Sequence, residues 1–472
     1  MTTVFLFRND LRLDDNPGLA KAAANGLVIP LFVHDPKAMG DQAPGGAAKW
    51  WLHHSLNALD KSLRDLGSKL IIRQGDTFDN VLAIVRDAEA SAVHLSRGYA
   101  PWEVKLEQHL HDALDQRGGT LRRFGGSILF EPEAVKTQGG DPYKVFTPFW
   151  RACLKLDPPL GHTAQPNKLE PPAAWPDGLK VDDLDFQPTT PDWSGGLQES
   201  WAPGEVGARE RLETFIEDAA DDYKKGRDVP SIEGTSRLSP HLKWGEISPR
   251  TVWRAVKDAK VCGEEPYIRE LGWRDFAHHL LFHFPTMPET PLREEFTQVP
   301  WLTNAKVLEC WQRGQTGYPI VDAGMRELWH TGWMHNRVRM ITASFLVKHL
   351  LVHWRRGAAW FMDTLVDADP ANNNAGWQWV AGCGTDAAPY FRVFNPTLQG
   401  EKFDGDGDYV RHWVPELAHV PDKFLHQPWE AGPLILKEAG VTLGTDYPEP
   451  IVEHRTARKR ALEAYDAVKK DN

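Results

Sequence analysis

Apolar positions in the first part of the chain fall in short runs. Val4–Phe7, Val28–Val33, Leu70–Ile72 and Ala92–Leu95 are strand-like in length. Between them apolar residues recur with a helical period, most clearly from Ala47 to Leu66 and from Pro101 to Gln116. This alternation predicts a doubly wound parallel sheet with right-handed crossovers. Residues 155–205 read as a surface connector, punctuated by Pro158-Pro159, Pro171-Pro172 and Ser194-Gly195-Gly196. From about residue 205 the pattern is helical, with no internal repeat, and the last helical segment, Ala457 to Lys470, reads as charged and solvated. The expected organisation is an α/β domain over 1–130, a connector over 131–204, and a larger all-helical domain over 205–472.

Composition narrows the class. The chain has 472 residues, 41% hydrophobic and 25% charged, which suits a water-soluble globular protein. A net charge of -11 argues against indiscriminate coating of nucleic acid but allows a local basic face. Cys153, Cys262, Cys310 and Cys383 lie far apart and form no C-x-x-C pair, so neither a metal site nor a disulfide framework is expected. A reducing cytoplasm is the expected compartment. The apolar run Val4–Phe7 is too short for a signal peptide, and no stretch reaches the length of a membrane helix. Twenty tryptophans are unusual: six precede residue 201 and fourteen lie from Trp201 onward. Besides core packing, indoles serve base stacking, flavin contact and electron hopping.

No G-x-G-x-x-G and no G-x-x-x-x-G-K-[ST] is present, which counts against a Rossmann dinucleotide enzyme. Three other stretches carry candidate chemistry. Gly234-Thr235-Ser236-Arg237-Leu238-Ser239-Pro240 can hold a phosphate through hydroxyls and backbone N–H groups, or simply cap a helix. Residues 331–360 contain Arg337, Arg339, Lys348, Arg355 and Arg356 and no acid, beside Trp333. That mixture suits a nucleic-acid backbone with stacked bases, and equally an amphipathic helix paired with acids elsewhere. Asp367-Ala368-Asp369-Pro370-Ala371-Asn372-Asn373-Asn374-Ala375-Gly376-Trp377-Gln378-Trp379 combines two carboxylates, three amides and two indoles. Adjacent asparagines are poor core-helix residues, and this inventory favours a ligand site over a surface turn.

With these motifs in order, and with Phe5–Leu13 and Asp386-Ala387-Ala388-Pro389-Tyr390-Phe391-Arg392 flanking them, the chain resembles the photolyase/cryptochrome family over nearly its whole length. The resemblance implies an N-terminal α/β antenna domain and an all-helical C-terminal domain holding a folded FAD. Tyr223, Thr235, Ser236, Arg237, Leu238 and Ser239 match the residues around its phosphates. Arg274, Trp333, Asn336, Arg339, Asp367, Ala368, Asp369 and Asn373 match those around its isoalloxazine and ribose, with Arg339 and Asp367 as an ion pair beside the ring. Glu270, Trp273, Asn336, Met340 and Trp379 match the pocket for a flipped-out DNA lesion, with Arg337 as a DNA contact. Tyr267 departs from the pattern, standing where a Trp is expected on the helix of Glu270; Tyr can also stack. Trp377, Trp354 and Trp301 match an electron-hopping chain from surface to flavin. Trp50, Trp51 and Glu103 lie where the family's second chromophore binds, a folate or a deazaflavin.

The implied activity is light-driven repair of cyclobutane pyrimidine dimers by a monomer acting on damaged DNA, with no membrane partner. Trp273 and Trp379 would sandwich the extruded lesion, which is cheaper to flip than a normal pair. Glu270 would hydrogen-bond the pyrimidine carbonyls, and Asn373 would face flavin N5. Repair of the (6-4) photoproduct is the second reading. Those relatives carry a His-His-x-x-Arg-His pattern where this chain has His335-Asn336-Arg337-Val338-Arg339-Met340. A cryptochrome photoreceptor is the third. It usually adds a long tail, whereas this sequence stops at Asn472 just after a helix, and it often has Asp where Asn373 stands.

Overall fold

The computed structural model describes residues 1–156, 161–390 and 392–470, with side chains through Val468. Pro158, Pro159, Phe391 and Asn472 lie outside the described residues. The chain divides into two compact units. The first is Met1–Asp221, Ser236–Pro285 and Val366–Asn372; the second is Asp222–Thr235, Thr286–Leu365 and Asn373–Asn472.

In the first unit, strands β1 (Thr2–Phe7), β2 (Leu27–His34), β3 (Ile71–Gln74), β4 (Ala92–Ser96) and β5 (Thr120–Phe124) form one parallel sheet in the order β3-β2-β1-β4-β5. Central β1 pairs with β2 and β4, aligning Val4 with Ile29 and Val93. Its last five residues are all buried, as expected of a strand covered on both faces. Val4, Leu6, Ile29, Leu31, Val93 and Leu95 meet Val81, Ile84, Leu110 and Leu114 from the covering helices. Those helices include α1 (Pro17–Asn25), α2 (Gly46–Asp65), α3 (Thr77–Asp87) and α4 (Pro101–Asp115). Their starts have local causes: Asn16 accepts from Leu19 N, Asp76 from Asp79 N, and Pro17 and Pro101 supply helix-ready φ angles. The edge strand β5, sequence TLRRF, carries no apolar run and so gave no strand signal.

Past the sheet, this unit contains α5 (Ser239–Trp244) and the long α6 (Glu264–His283). Buried Arg12 donates to the carbonyls of Gly245 and Asp15, and Asp15 pairs with Arg250 at 3.1 Å. Part of the Phe5–Leu13 motif therefore anchors the chain.

The second unit contains α7 (Pro319–Thr331), α8 (Asn336–Ser344), a π-helical turn at Phe345–His349, α9 (Trp354–Thr364), most of α10 (Pro370–Ala381), α11 (Pro396–Phe403) and α12 (His454–Lys470). The last helix is not simply solvated. Ala457, Ala461, Ala464 and Val468 are buried at helical spacing, and Ala461 and Ala464 pack on Leu351. Small side chains hid that stripe among the charges.

Candidate functional site

Within the first unit, the chain enters α5 through Ser236-Arg237-Leu238. Ser236 Oγ accepts from Tyr267 Oη at 3.0 Å and from Leu238 N at 3.3 Å. Arg237 adopts φ +50°, the left-handed region that few side chains tolerate, and its guanidinium lies 4.7 Å over the Trp201 ring. Tyr267 is buried, bonded to Ser236 and packed against Phe215 at 4.5 Å. Its hydroxyl therefore braces the loop that leads into α5.

Nearly two turns along α6, Trp273 is half-buried, and one face of its indole is stacked on Phe146 at 3.7 Å and 9°. Glu270 lies three residues before it, on the same side of the helix. No sequence signal joined Phe146 to this site, because the two residues are far apart along the chain. Arg274 donates to the carbonyls of Ser127 and Leu242, so its guanidinium holds backbone in place.

Asp367, Ala368 and Asp369 are buried immediately before α10. The Asp369 carboxylate accepts from both Asn372 N and Asn372 Nδ2 at 2.8 Å and lies 3.7 Å from His278. Burial alone would raise its pKa, but His278, Lys243 and the Asn372 N–H outweigh it and hold the carboxyl at about 2. His278 is itself pushed down to about 4 by burial. Near neutral pH the positive charges facing Asp369 are therefore those of Lys243 and Arg274. The result is an ionised acceptor suited to ribose hydroxyls.

Two of the expected antenna residues, Trp51 and Glu103, have hydrogen-bond partners within this unit. Trp50 and Trp51 are wholly buried, with Trp51 Nε1 on Glu246 at 3.0 Å, and Glu103 accepts from Tyr99 N, Ala100 N and Asn9 Nδ2.

Within the second unit, Tyr223 is buried with Arg227 5.4 Å over its ring. A Cβ on Gly234 would stand 2.5 Å from the Gly226 carbonyl oxygen, so only glycine lets this loop close just before Thr235. Trp333 is buried beneath Arg339, whose Nε donates to Met334 O at 2.7 Å. Asn336 is exposed at the start of α8, and Met340 is half-buried one turn later. His335 is buried as the N-cap of α8, its Nδ1 accepting from Arg337 N, and burial pushes its pKa down to about 4.

The basic window is less open than its sequence implied. Lys348 is buried, donates to Arg392 O, and is pushed down to about 8 by burial. Arg337 pairs with Asp228 at 2.5 Å. Arg355 and Arg356 are exposed. Acid partners and carbonyls distant in sequence account for the difference.

Asn373 donates from Nδ2 to Ala358 O at 3.0 Å. Trp377 is buried between Phe361 at 5.0 Å and Trp311 at 6.2 Å. Half-buried Trp301 and buried Trp354 are bridged by His353, with ring centroids 5.2 and 5.7 Å away respectively. Trp379 is half-buried near the end of α10.

The donor and acceptor set fits a flavin dinucleotide. Thr235, Ser236, Arg237 and Ser239 bring hydroxyls and a guanidinium for a diphosphate, Asp369 an ionised acceptor, and Asn373 a neutral amide for a ring edge. Among the described residues no cluster of three or more His, Cys, Asp or Glu is placed to hold a metal, and no helix is long and apolar enough to cross a membrane.

Comparison with known proteins agrees. The family model for DNA photolyase matches residues 3–172, and that for the FAD binding domain of DNA photolyase matches residues 267–467. The chain is 49% identical over 469 residues to the deoxyribodipyrimidine photo-lyase of Agrobacterium fabrum, covering 98% of this chain and 97% of that protein. It is 37% identical over 479 residues to Cryptochrome-2 of Arabidopsis thaliana, covering 98% of this chain and 78% of that protein. The crystal structure of a bacterial class III photolyase from Agrobacterium tumefaciens superposes with a TM-score of 0.96 at 48% identity, covering 99% of this chain and 98% of that one. Similarity of this extent over both halves makes the chain a member of the DNA photolyase family, with FAD as its cofactor.

Proposed function

We propose that this chain repairs cyclobutane pyrimidine dimers in DNA, driven by light. Bound in its reduced form and excited by light, FAD supplies the electron that opens the cyclobutane ring and recovers it afterwards. The residues around it bind and orient. Thr235 to Ser239 would hold the diphosphate, Asp369 a ribose hydroxyl, and Asn373 the edge of the isoalloxazine. In the first unit, Trp273 is assigned to the lesion. Phe146 covers one of its faces and fixes the plane of the indole, so the other face is preorganised to stack on a base. Glu270, on the same side of α6, is assigned the hydrogen bond to the pyrimidine carbonyls, which strengthens as negative charge develops there. In the second unit, Asn336, Met340 and Trp379 are assigned to the lesion, and Trp301, Trp354 and Trp377 to the relay that brings electrons inward.

The observation that carries the choice of lesion is the start of α8. Reversing a (6-4) photoproduct moves a hydroxyl between bases and needs a general acid. Neither the Asn336 amide nor the Met340 thioether can donate such a proton. His335 caps the helix, is buried, and is held neutral down to about pH 4. Repair assays on both lesions, in light and dark, test the reading: light-dependent reversal of cyclobutane dimers alone is expected, and robust (6-4) repair would overturn it.

A further inference from the structure

Arg337, assigned to the DNA face, already holds an anion. Its Nη2 and Nε both donate to Asp228 Oδ1, at 2.5 and 3.2 Å. Its Nη1 approaches Met340 Sδ at 3.7 Å, and the guanidinium lies 4.5 Å from the Phe403 ring. The same ring carries Lys402 at 4.9 Å. The side chains of Arg337 and Asp228 are 23% and 40% exposed, so water reaches the pair. The surroundings are otherwise basic. The fields reaching buried His335 come from one acid, Asp228, and from Arg337, Arg339 and Arg227. Asp228 lies two residues beyond the helical turn Tyr223–Gly226, on the loop leading to Gly234.

A guanidinium presents planar N–H edges that a carboxylate and a phosphate take in the same way. The Nε/Nη2 edge is the one Asp228 occupies. A half-exposed ion pair of this kind is weak in water and exchanges readily.

We propose that Asp228 is an internal competitor for the DNA backbone: its carboxylate occupies the edge of Arg337 that a backbone phosphate takes, so DNA binds by exchanging one anion for another. This rests on the reading that Arg337 belongs to the DNA face. The exchange has a distinct electrostatic consequence. A free arginine meeting a phosphate displaces one condensed counterion from DNA and contributes to the salt dependence of binding. An arginine already neutralised by Asp228 contributes less, because the net charge brought to the phosphate is close to zero. Asp228 thereby lowers affinity for any duplex. The effect is proportionally largest on undamaged DNA, whose binding is almost wholly electrostatic. Asp228 is a positioning residue that acts through Arg337 and does not touch the lesion.

The experiment titrates the FAD-loaded protein with a labelled duplex containing one thymine dimer, and with the same duplex undamaged, across a series of salt concentrations. Asp228→Asn should bind both duplexes about two- to fivefold more tightly at low salt. Its log–log salt slope should steepen by up to about 0.9. Asp228→Ser should behave likewise, Asp228→Glu should resemble the unaltered protein, and Asp228→Asn combined with Arg337→Ala should match Arg337→Ala alone. If Arg337→Ala flattens the slope while Asp228→Asn only lowers Tm, the pair is merely structural; the competitor is refuted and the DNA-face reading stands. If Arg337→Ala added to Asp228→Asn changes neither the slope nor the affinity, the DNA-face assignment fails and takes the competitor with it.

Discussion

Gly357 on α9 sets the position of Trp377, and replacing it with alanine tests whether that position matters. A Cβ at Gly357 would stand 2.0, 2.5 and 2.6 Å from three carbons of the Trp377 six-membered ring. Ordinary contact begins at 3.4 Å, so the indole must retreat by about 1.4 Å (3.4 − 2.0) or α9 must move away. Retreat is difficult, because Trp377 is buried against Phe361 at 5.0 Å and Trp311 at 6.2 Å. Two terms of opposite sign decide the outcome. Alanine inside a helix gains about 1 kcal/mol over glycine from backbone entropy. Forcing a methyl into a filled core costs about 1–3 kcal/mol. The net expectation is a loss of up to about 2 kcal/mol, despite the better helix former. Urea unfolding of the FAD-loaded protein measures it, with the midpoint moving down at constant slope. Displacement of the indole should also slow light-driven reduction of oxidised FAD by an external thiol, while repair by chemically pre-reduced enzyme persists. Unchanged or raised stability together with an unchanged photoreduction rate would show that Gly357 does not hold Trp377 in a place that matters.

Three further outcomes are expected. Trp377→Phe should block photoreduction of oxidised FAD and leave repair by pre-reduced enzyme nearly intact; loss of repair in that state would mean that Trp377 has been given the wrong role. Glu270→Ala should lower dimer repair by roughly 10²-fold, the scale of one lost transition-state hydrogen bond, without releasing FAD, and full repair by the variant would remove Glu270 from the lesion. Buried His349, bonded to His454 at 2.9 Å, has its pKa pushed from 6.5 to about 3, first by burial and then by His454, Lys348 and Arg460, so its stabilising contribution is complete above about pH 6.5 and is lost as pH falls towards 3. Between pH 7 and pH 5 the unaltered protein should lose about 2 kcal/mol more than His349→Phe in urea unfolding, and equal losses would refute the assignment.

Much of the fold was legible because its signals are local. β1, β2 and β4 are short apolar runs, and the long helix of Trp50 and Trp51 shows its period directly; they form as the spacing predicts. β5 was not legible, since an edge strand needs only one paired side and TLRRF carries no apolar alternation. α12 was misread as solvated because its buried stripe is mostly alanine. Among the site residues, the identity of the chemical groups was legible, down to the absence of an acid at Asn336 and Met340. Their commitments were not. Tyr267, standing where a Trp was expected, ties its hydroxyl to Ser236, and Arg274 holds two carbonyls.

The sequence by itself determined which elements form and which functional groups are present, because strand and helix periods, caps and motifs act over a few neighbouring residues. The tertiary structure alone decided which of those groups are charged, covered or already bonded. Asp369 is held at about 2 chiefly by His278 and Lys243, each about ninety or more positions away. Phe146 closes one face of Trp273, Lys348 in the basic window is buried on a carbonyl, and Asp228 occupies Arg337. The physical reason is common to all of them. Desolvation, stacking and ion pairing depend on distances through space, and the order of residues along a chain does not encode those distances.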